Sequence, residues 1–296
     1  MEIRVLKYFL TVAREENITK AANLLHLTQP TLSRQLIQLE EELGVTLFQR
    51  SRHHIVLTED GMLLRRRAEE ILALAEKTKE DFRHNREQLS GTVAIGSGEL
   101  QSSRFLARLI TSFQKEHSQV SFSIYSGNSD NIKERIEHGL LDLGLLQEPV
   151  DVGKYSFIRI PIPEKFGVLI REDSPLAEKE SVSPGDLTSL PLIMPERKNI
   201  QNELLNWFGP YREQLHITAS GNLLYNLACI AREGEGCILT LKLDCTYEGL
   251  RFIPLTPCVE ASTMLVWKKA QAFSPAAKAF ISFIEHSKTE SQVGSF

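Results

Sequence analysis

Short polar side chains are concentrated at the start of the third predicted helix, where they could hydrogen-bond to a nucleic acid. Gln29, Thr31, Ser33 and Arg34 occupy its first turns, and leucines at helical spacing fall on the opposite face. An arginine can donate two hydrogen bonds to a guanine edge, and a glutamine can pair with adenine. We therefore expect this turn to project outward and to enter the major groove of duplex DNA.

The surrounding elements follow the pattern of a helix-turn-helix. Apolar residues at helical spacing predict three helices, over residues 5–13, 19–25 and 28–43. Ala21 and Ala22 are small enough to let two of these helices cross closely, with a tight turn at residues 26–28. Thr28 is the predicted N-cap of the third helix, and Pro30 in its first turn loses no intrahelical hydrogen bond. Thr28, Ser33 and the helix N-terminus also suit phosphate groups.

Bulk charge gives no support to DNA binding. The 296 residues have a net charge of −4, and residues 1–90 contain fourteen basic and fourteen acidic side chains. The DNA-binding hypothesis therefore depends on local geometry. The length predicts two or three domains, and 42% apolar with 24% charged residues is typical of packed globular chains.

A long amphipathic helix is predicted from residue 58 to about 87, after two short strands within residues 45–58. Its apolar stripe recurs at steps of four and three, which is a heptad seam: Leu64, Ala68, Ile71, Ala75, Thr78 and Phe82. Thirty helical residues extend about 45 Å. The helix could lie over its own domain, but we favour dimerisation along this seam.

From residue 92 onward, strand-like and helix-like segments alternate, which predicts an α/β domain with a largely parallel sheet. Ligands of such sheets bind at the carboxyl ends of strands, near helix N-termini. Three loops satisfy this rule, at residues 96–103, 126–129 and 220–222. Their hydroxyl and amide groups would suit a polar or anionic small molecule, although serine and asparagine before a helix often act only as N-caps. The predicted effector-binding residues in these loops are Ser97, Gln101, Ser102, Asn128, Ser129 and Asn222.

The segment NITKAANLLHLTQPTLSRQLIQLEEELGVTLFQR, followed by LTEDG, resembles the DNA-binding domain of LysR-type transcriptional regulators. The resemblance covers residues 1–61 densely and extends more weakly to about residue 284. By position it assigns the recognition-helix contacts of the family as follows: Gln29, Pro30, Thr31, Ser33 and Arg34. It places backbone and wing contacts on Arg50 and Arg52, and the far walls of an effector cleft at Phe166 and Met194-Pro195. The wing tip departs from the family pattern, because residues 51–54 read Ser-Arg-His-His, and neutral histidines attract phosphate weakly.

The resemblance implies a multidomain architecture. An all-α winged helix-turn-helix (residues 1–58) and a long linker helix (59–88) precede a two-lobed α/β effector domain (92–296) like a periplasmic binding protein. Lobe 1 is expected at residues 92–161 and 268–296, and lobe 2 at residues 162–267.

The implied function is sequence-specific transcription regulation, with promoter binding and bending modulated by a small-molecule effector in the cleft. The expected partners are double-stranded promoter DNA, the effector, further copies of the chain in a dimer and a tetramer, and RNA polymerase. We expect a cytoplasmic protein with no membrane span, no cofactor and no metal. Residues 196–211, the stretch that carries the reactive cysteines in peroxide-sensing members of the family, contain no cysteine, and Cys229 and Cys237 are expected in the core.

The sequence bears on three alternative functions. An enzyme is disfavoured because the sequence contains no phosphate-binding loop, G-x-S-x-G, H-E-x-x-H or strand-linked G-x-G-x-x-G. The N-terminal zone could be a helical protein-interaction domain, which its dense motif disfavours. A regulator that answers to a protein partner, or to no effector, stays open.

Overall fold

The computed structural model describes residues 1–50, 55–82, 89–234 and 236–293. The chain divides into two compact units, Met1–Arg83 and His84–Phe296. Among the described residues, no helix has both the length and the apolar character needed to cross a bilayer.

The N-terminal unit is helical, with a short two-stranded sheet. Its elements are α1 (Ile3–Glu15), α2 (Ile18–Leu24), α3 (Gln29–Leu43), β1 (Phe48–Arg50), β2 (Ile55–Leu57) and α4 (Glu59–Asp81). The three predicted helices are confirmed within two residues at each end, and β1 pairs with β2 in antiparallel register. The core forms around Phe9, which is fully buried together with leucines of α3.

Helix α4 begins at Glu59, where the Thr58 hydroxyl accepts the backbone N–H of Gly61 (2.9 Å). Its seam packs on the core of its own unit: Ala68 is fully buried, and Leu64 and Ile71 pack against the same core. A salt bridge from Lys7 to Glu76 (3.0 Å) also joins α1 to α4. The prediction that Ala68 is a dimer contact is therefore wrong.

A stripe with three–four spacing fits an intramolecular partner as well as a second copy, and α1 supplies the intramolecular one. Phe82 is exposed at the end of the described helix, and residues 83–88 of the predicted linker lie outside the described residues. The proposed dimer roles of Ala75 and Phe82 stay predictions.

The C-terminal unit alternates strands and helices. Its main elements are β3 (Gly91–Ser97), α5 (Ser103–Glu116), β4 (Val120–Ser126), α6 (Ser129–Glu137), β5 (Leu143–Gln147), β6 (Tyr155–Arg171), β7 (Pro191–Pro195), α7 (Lys198–Phe208), β8 (His216–Gly221), α8 (Leu224–Glu233), β9 (Cys237–Leu241), β10 (Leu250–Pro254), β11 (Glu260–Lys268) and α9 (Pro275–Val293). Three-residue-per-turn helices occupy Pro175–Glu178, Pro184–Leu187 and Gly209–Gln214.

The sheet of this unit is mixed rather than largely parallel. Its order is β4-β3-β5-β11-β6-β9-β7-β8, with β10 added beside β6. Strand β3 is parallel to β4 and β5, and β7 is parallel to β8 and β9. Strands β6 and β11 are antiparallel to each other and to the strands that flank them. The parallel pairs come from repeated βαβ connections, and the two strands at the junction of the lobes break that pattern.

Strand β6 belongs to both lobes. Residues 155–165 pair with β11, while residues 166–171 pair with β9 and β10. We expected residues 162–267 to form lobe 2, but β11 pairs with β5 of lobe 1 along Thr263–Trp267. The chain therefore returns to lobe 1 before β11, and the predicted boundary at residue 267 is wrong. An apolar strand pattern does not reveal which neighbour the strand will pair with.

Candidate DNA-binding surface and effector cleft

The start of α3 is capped as predicted. The Thr28 hydroxyl accepts the backbone N–H of Thr31 (3.4 Å) and shares a hydrogen bond with the Thr31 hydroxyl (2.8 Å). Pro30 lies in the first turn. The cap stabilises the start of α3 at this position, since it satisfies one of the backbone donors left free at a helix start.

The polar side chains of this turn project outward. Gln29, Thr31 and Arg34 are exposed, and Ser33 is half-buried. On the opposite face of α3, Leu32, Leu36 and Leu39 are buried. Arg34 has no hydrogen-bond or ion-pair partner among the described residues. Its guanidinium donors are therefore available to an external acceptor, such as a base edge or a phosphate.

The turn between α2 and α3 sets how closely these helices approach. His26 has φ of 54°, in the left-handed region, and the Leu27 N–H donates to the carbonyl of Ala22 (2.9 Å). Ala21 and Ala22 are buried, as the close crossing requires. This geometry keeps α3 on the surface with its first turn exposed.

Glu40 has a structural role at the far end of α3. Its Oε1 accepts the backbone N–H groups of Leu47 (2.7 Å) and Phe48 (3.2 Å), which ties α3 to β1. Strand β1 ends at Arg50, whose side chain lies outside the described residues together with Arg52 and the rest of the wing tip.

A cavity of about 120 Å³ lies between the two lobes of the C-terminal unit. It is formed at the carboxyl ends of strands β3, β4, β5, β7 and β8, as the rule for open α/β sheets predicts. Five predicted residues line it: Asn128, Ser129, Phe166, Pro195 and Asn222. Apolar side chains from both lobes form the remaining walls, including Leu100, Ile200 and Leu241.

Ser97, Gln101, Ser102 and Met194 do not line this cavity. Met194 is fully buried in the core. Gln101 and Ser102, at the start of α5, face the buried carboxylate of Glu164. This carboxylate accepts the backbone N–H groups of both residues (2.8 Å each). A carboxylate of the protein itself therefore occupies the N-terminus of α5, where we expected an effector.

Asn128 and Ser129 combine structural roles with their position at the cavity. The Asn128 side chain accepts the N–H groups of Asp130 and Asn131 (3.0 Å each) and caps α6. The Ser129 hydroxyl donates to the Gln147 carbonyl (3.2 Å) and accepts the Gln147 N–H (2.9 Å), which fixes α6 to the end of β5.

The charged groups of the cavity are engaged across the two lobes. Glu99 of lobe 1 accepts the Leu224 N–H at the start of α8 in lobe 2 (2.5 Å). Arg197 of lobe 2 donates to the carboxylate of Asp130 (3.3 Å) and to the carbonyl of Pro149 (2.6 Å) in lobe 1. Glu196 also lines the cavity. Glu99 and Glu196 are acidic residues of the lining, and Arg197, the cation among the described lining residues, already has acceptors.

Two family models together match nearly the whole chain. The model described as LysR substrate binding domain matches residues 86–288, and the model described as bacterial regulatory helix-turn-helix protein, lysR family, matches residues 3–62. The chain belongs to the LysR family of transcriptional regulators. The resemblance stated from the helix-turn-helix motif is confirmed, and with it the expected combination of a DNA-binding and an effector-binding domain.

Curated relatives and solved structures of LysR regulators match over most of their lengths. The uncharacterized HTH-type transcriptional regulator YybE of Bacillus subtilis (strain 168) is 34% identical over 96% of this chain and 98% of its own. The HTH-type regulator BsdA of the same organism is 30% identical, covering 70% of this chain and 72% of its own. The crystal structure of CbnR, a LysR family regulator, covers 97% of this chain and 99% of its own with a TM-score of 0.78 and 21% identity, which is a likeness of fold.

The sequence of this LysR-family chain held further signals for the cleft. Glu99 lies in the predicted ligand-binding loop at residues 96–103, where the prediction named the serines and the glutamine instead. Arg197 follows β7, and the same strand-end rule applied to this strand would have found it. Gln147 lines the cavity from the end of β5, directly after an apolar run that gave no sign of a polar role. Within the described ranges, no group of three or more histidine, cysteine, aspartate or glutamate side chains is arranged to hold a metal ion.

Proposed function

We propose that this LysR-family regulator reads duplex promoter DNA with the exposed first turn of α3. Gln29 and Arg34 contact base edges, and Thr28, Ser33 and the helix N-terminus contact phosphates. Pro30 and Thr31 lie in the same turn and contact the groove wall, and Arg50 and Arg52 contact the backbone beside it. The observation that carries the proposal is the exposure of Arg34 without a partner among the described residues.

Footprinting of the purified chain on the DNA that adjoins its own gene tests this proposal. We expect protection of a sequence with twofold symmetry, whose half-sites are separated by whole helical turns. Affinity should fall steeply as salt rises, because bound phosphates release counterions. No preference for any segment of this DNA over unrelated duplex at low salt would contradict the proposal.

The chain pairs with a second copy through the exposed face of α4. Met62, Leu63 and Leu74 are 57%, 55% and 42% exposed. Leu63 and Leu74, eleven residues apart, lie on one face of the helix, away from the buried Ala68. Apolar side chains at this spacing along a long helix suit a helix-on-helix interface. Two such copies place two α3 helices on the half-sites of one operator. Replacing Leu63 and Leu74 together by glutamate should convert dimers to monomers in analytical ultracentrifugation, whereas an unchanged assembly would exclude this face.

The effector is a small polar molecule that is neutral or cationic. We expected a polar or anionic ligand, but Glu99 and Glu196 line the cavity and the Arg197 donors are engaged. A carboxylate ligand would lie near two acidic residues, and the described lining residues include no uncommitted cation. Thermal unfolding with small amines and with carboxylates of equal length tests this, since a ligand at 100 times its Kd stabilises the fold by about 2.7 kcal/mol. Stabilisation by the carboxylates alone would contradict it.

Effector binding moves the lobes, which changes the spacing of DNA-binding pairs in a tetramer and the bend of the promoter. This scheme needs no catalytic step and no cofactor, places the protein in the cytoplasm, and makes RNA polymerase a further partner at the promoter. A regulator that answers to a protein instead of a small molecule would show no stabilisation by any cleft ligand.

A further inference from the structure

The exposed face of α3 carries an apolar residue one turn beyond Arg34. Ile37 is 40% exposed, and it is not among the described residues that pack against the core of the N-terminal unit. Single exposed apolar side chains are common on protein surfaces. The position of Ile37 on the helix therefore decides what it can contact.

Helical geometry places Ile37 on the same face as Arg34. The two side chains are about 60° apart around the helix axis and about 4.5 Å apart along it, whereas the buried leucines of α3 lie between about 140° and 200° from Arg34. Recognition helices in the major groove carry reading side chains three, four and seven positions apart. Counted from Pro30, these positions are Ser33, Arg34 and Ile37.

The neighbours of Ile37 mark the end of this face. The Gln38 side chain accepts a hydrogen bond from Gln35 (3.0 Å), and Glu41 is exposed one turn beyond Ile37. Because phosphates attract cations and repel a carboxylate, the surface that enters the groove ends before Glu41. Ile37 is therefore at the end of the surface that can approach the bases.

The chemistry of an isoleucine side chain limits what it can recognise in the groove. It has no hydrogen-bond donor or acceptor, and covering a polar base edge without replacing its hydrogen bonds costs free energy. The apolar group that base pairs present in the major groove is the C5 methyl of thymine. A residue of this kind therefore favours a thymine over the other bases.

We propose that Ile37 is a specificity-determining residue that packs on the methyl group of a thymine near the base pair read by Arg34. The inference rests on the proposed reading of DNA by the first turns of α3. A displacement of about 4.5 Å along the helix corresponds to one or two base pairs, which are about 3.4 Å apart. Burial of one methyl group is worth about a fourfold change in affinity.

The test uses the full-length protein and the footprinted promoter segment. Thymines are replaced one at a time by deoxyuridine, at equivalent positions of both half-sites, which removes the methyl group and keeps the base pairing. We expect about a fourfold loss of affinity per half-site at a thymine within two base pairs of the one that Arg34 reads. In Ile37→Ala the same replacement should leave affinity nearly unchanged, because the contact of the methyl group is already gone.

Leu43→Ala is the matched control. Leu43 lies on the same helix and is 39% exposed, but it is on the side away from Arg34. This variant should therefore keep the full loss of affinity on deoxyuridine replacement. Alanine has a higher helix propensity than isoleucine, so Ile37→Ala should unfold at no lower denaturant concentration than the wild type.

An equal loss on deoxyuridine replacement in the wild type and in Ile37→Ala would overturn the proposal, because another residue would then contact the methyl group. Half-sites in which no replacement weakens binding would overturn it as well. Both results leave specific binding intact. Failure of the proposed DNA reading would appear instead as a wild type without preference for any promoter segment, which would overturn both proposals.

Discussion

The guanidinium of Arg197 lies against the carboxylate of Asp130, with Nε 3.3 Å from Oδ2, and this pair joins the two lobes beside the cleft. The two side chains differ in environment, since Arg197 is 5% exposed and Asp130 is 62% exposed. The other Arg197 donors reach the carbonyls of Gln147 (2.9 Å) and Pro149 (2.6 Å) at the end of β5. One buried cation of lobe 2 therefore has three acceptors in lobe 1.

Replacing Arg197 by methionine should lower the free energy of unfolding by about 2–3 kcal/mol, because buried carbonyls lose their donors. Asp130→Asn should cost less than about 1 kcal/mol, since its carboxylate is mostly solvated and the carbonyl contacts persist. Arg159→Met is the control: Arg159 pairs with Glu148 at the surface and is 61% exposed. Urea denaturation measures all three. Equal losses in Arg197→Met and Arg159→Met would show that Arg197 does not join the lobes.

Asp186 should make the stability of lobe 2 dependent on acid pH. A hydrogen bond from Lys179, followed by the backbone and hydroxyl of Ser183, lowers the pKa of Asp186 to about 2. Because the folded pKa lies below the ordinary unfolded value of about 3.9, the stabilisation is complete above about pH 4 and is lost as pH falls toward 2. Asp186→Asn should therefore cost on the order of 1–2 kcal/mol near pH 7, a figure reduced for partial exposure.

The stability difference between the wild type and Asp186→Asn should shrink as the pH falls toward 2, because the Asp186 carboxyl is then protonated in the unfolded chain and increasingly protonated in the folded one. Denaturant midpoints measured from pH 7 to pH 2.5 check this. Glu178→Gln, at an exposed position nearby, should show no such convergence. A difference between wild type and Asp186→Asn that stays constant across the range would contradict the assigned cause.

Helix α4 should tolerate a larger side chain on one face only. Ala68→Leu should lower the free energy of unfolding by about 1–3 kcal/mol, because Ala68 is fully buried against the core of the N-terminal unit and overpacking strains a core. Ala73→Leu, at an exposed position of the same helix, should change it by less than about 0.5 kcal/mol. Chemical denaturation at several protein concentrations separates this effect from dimer formation. A larger cost at position 73 than at position 68 would mean that the buried and exposed faces of α4 are reversed.

Local signals in the sequence were sufficient to predict where α3 starts and which of its faces is buried. The Thr28 cap and the leucine spacing act within the helix itself, so they predicted its start and the face it buries. The strand-end rule likewise found the cleft, since the carboxyl ends of parallel strands meet at one edge of a sheet.

Features that depend on distant partners were not predictable in the same way. The stripe containing Ala68 could have faced α1 or a second copy, and only the fold decides between them. Glu164 is distant in sequence from the α5 start that it caps, so the loop containing Ser102 appeared open to a ligand. Strand β11 has an apolar pattern that suits either lobe, and its pairing with β5 is a tertiary choice.

The most direct test of the central claim compares Arg34→Ala with Arg108→Ala, an exposed arginine on α5, in binding to the footprinted promoter segment. Arg34→Ala should weaken specific binding by about 1–3 kcal/mol and relax the preference at one base pair, while Arg108→Ala should bind like the wild type. Wild-type affinity and an unchanged footprint for Arg34→Ala would contradict the claim that the exposed turn of α3 reads the promoter.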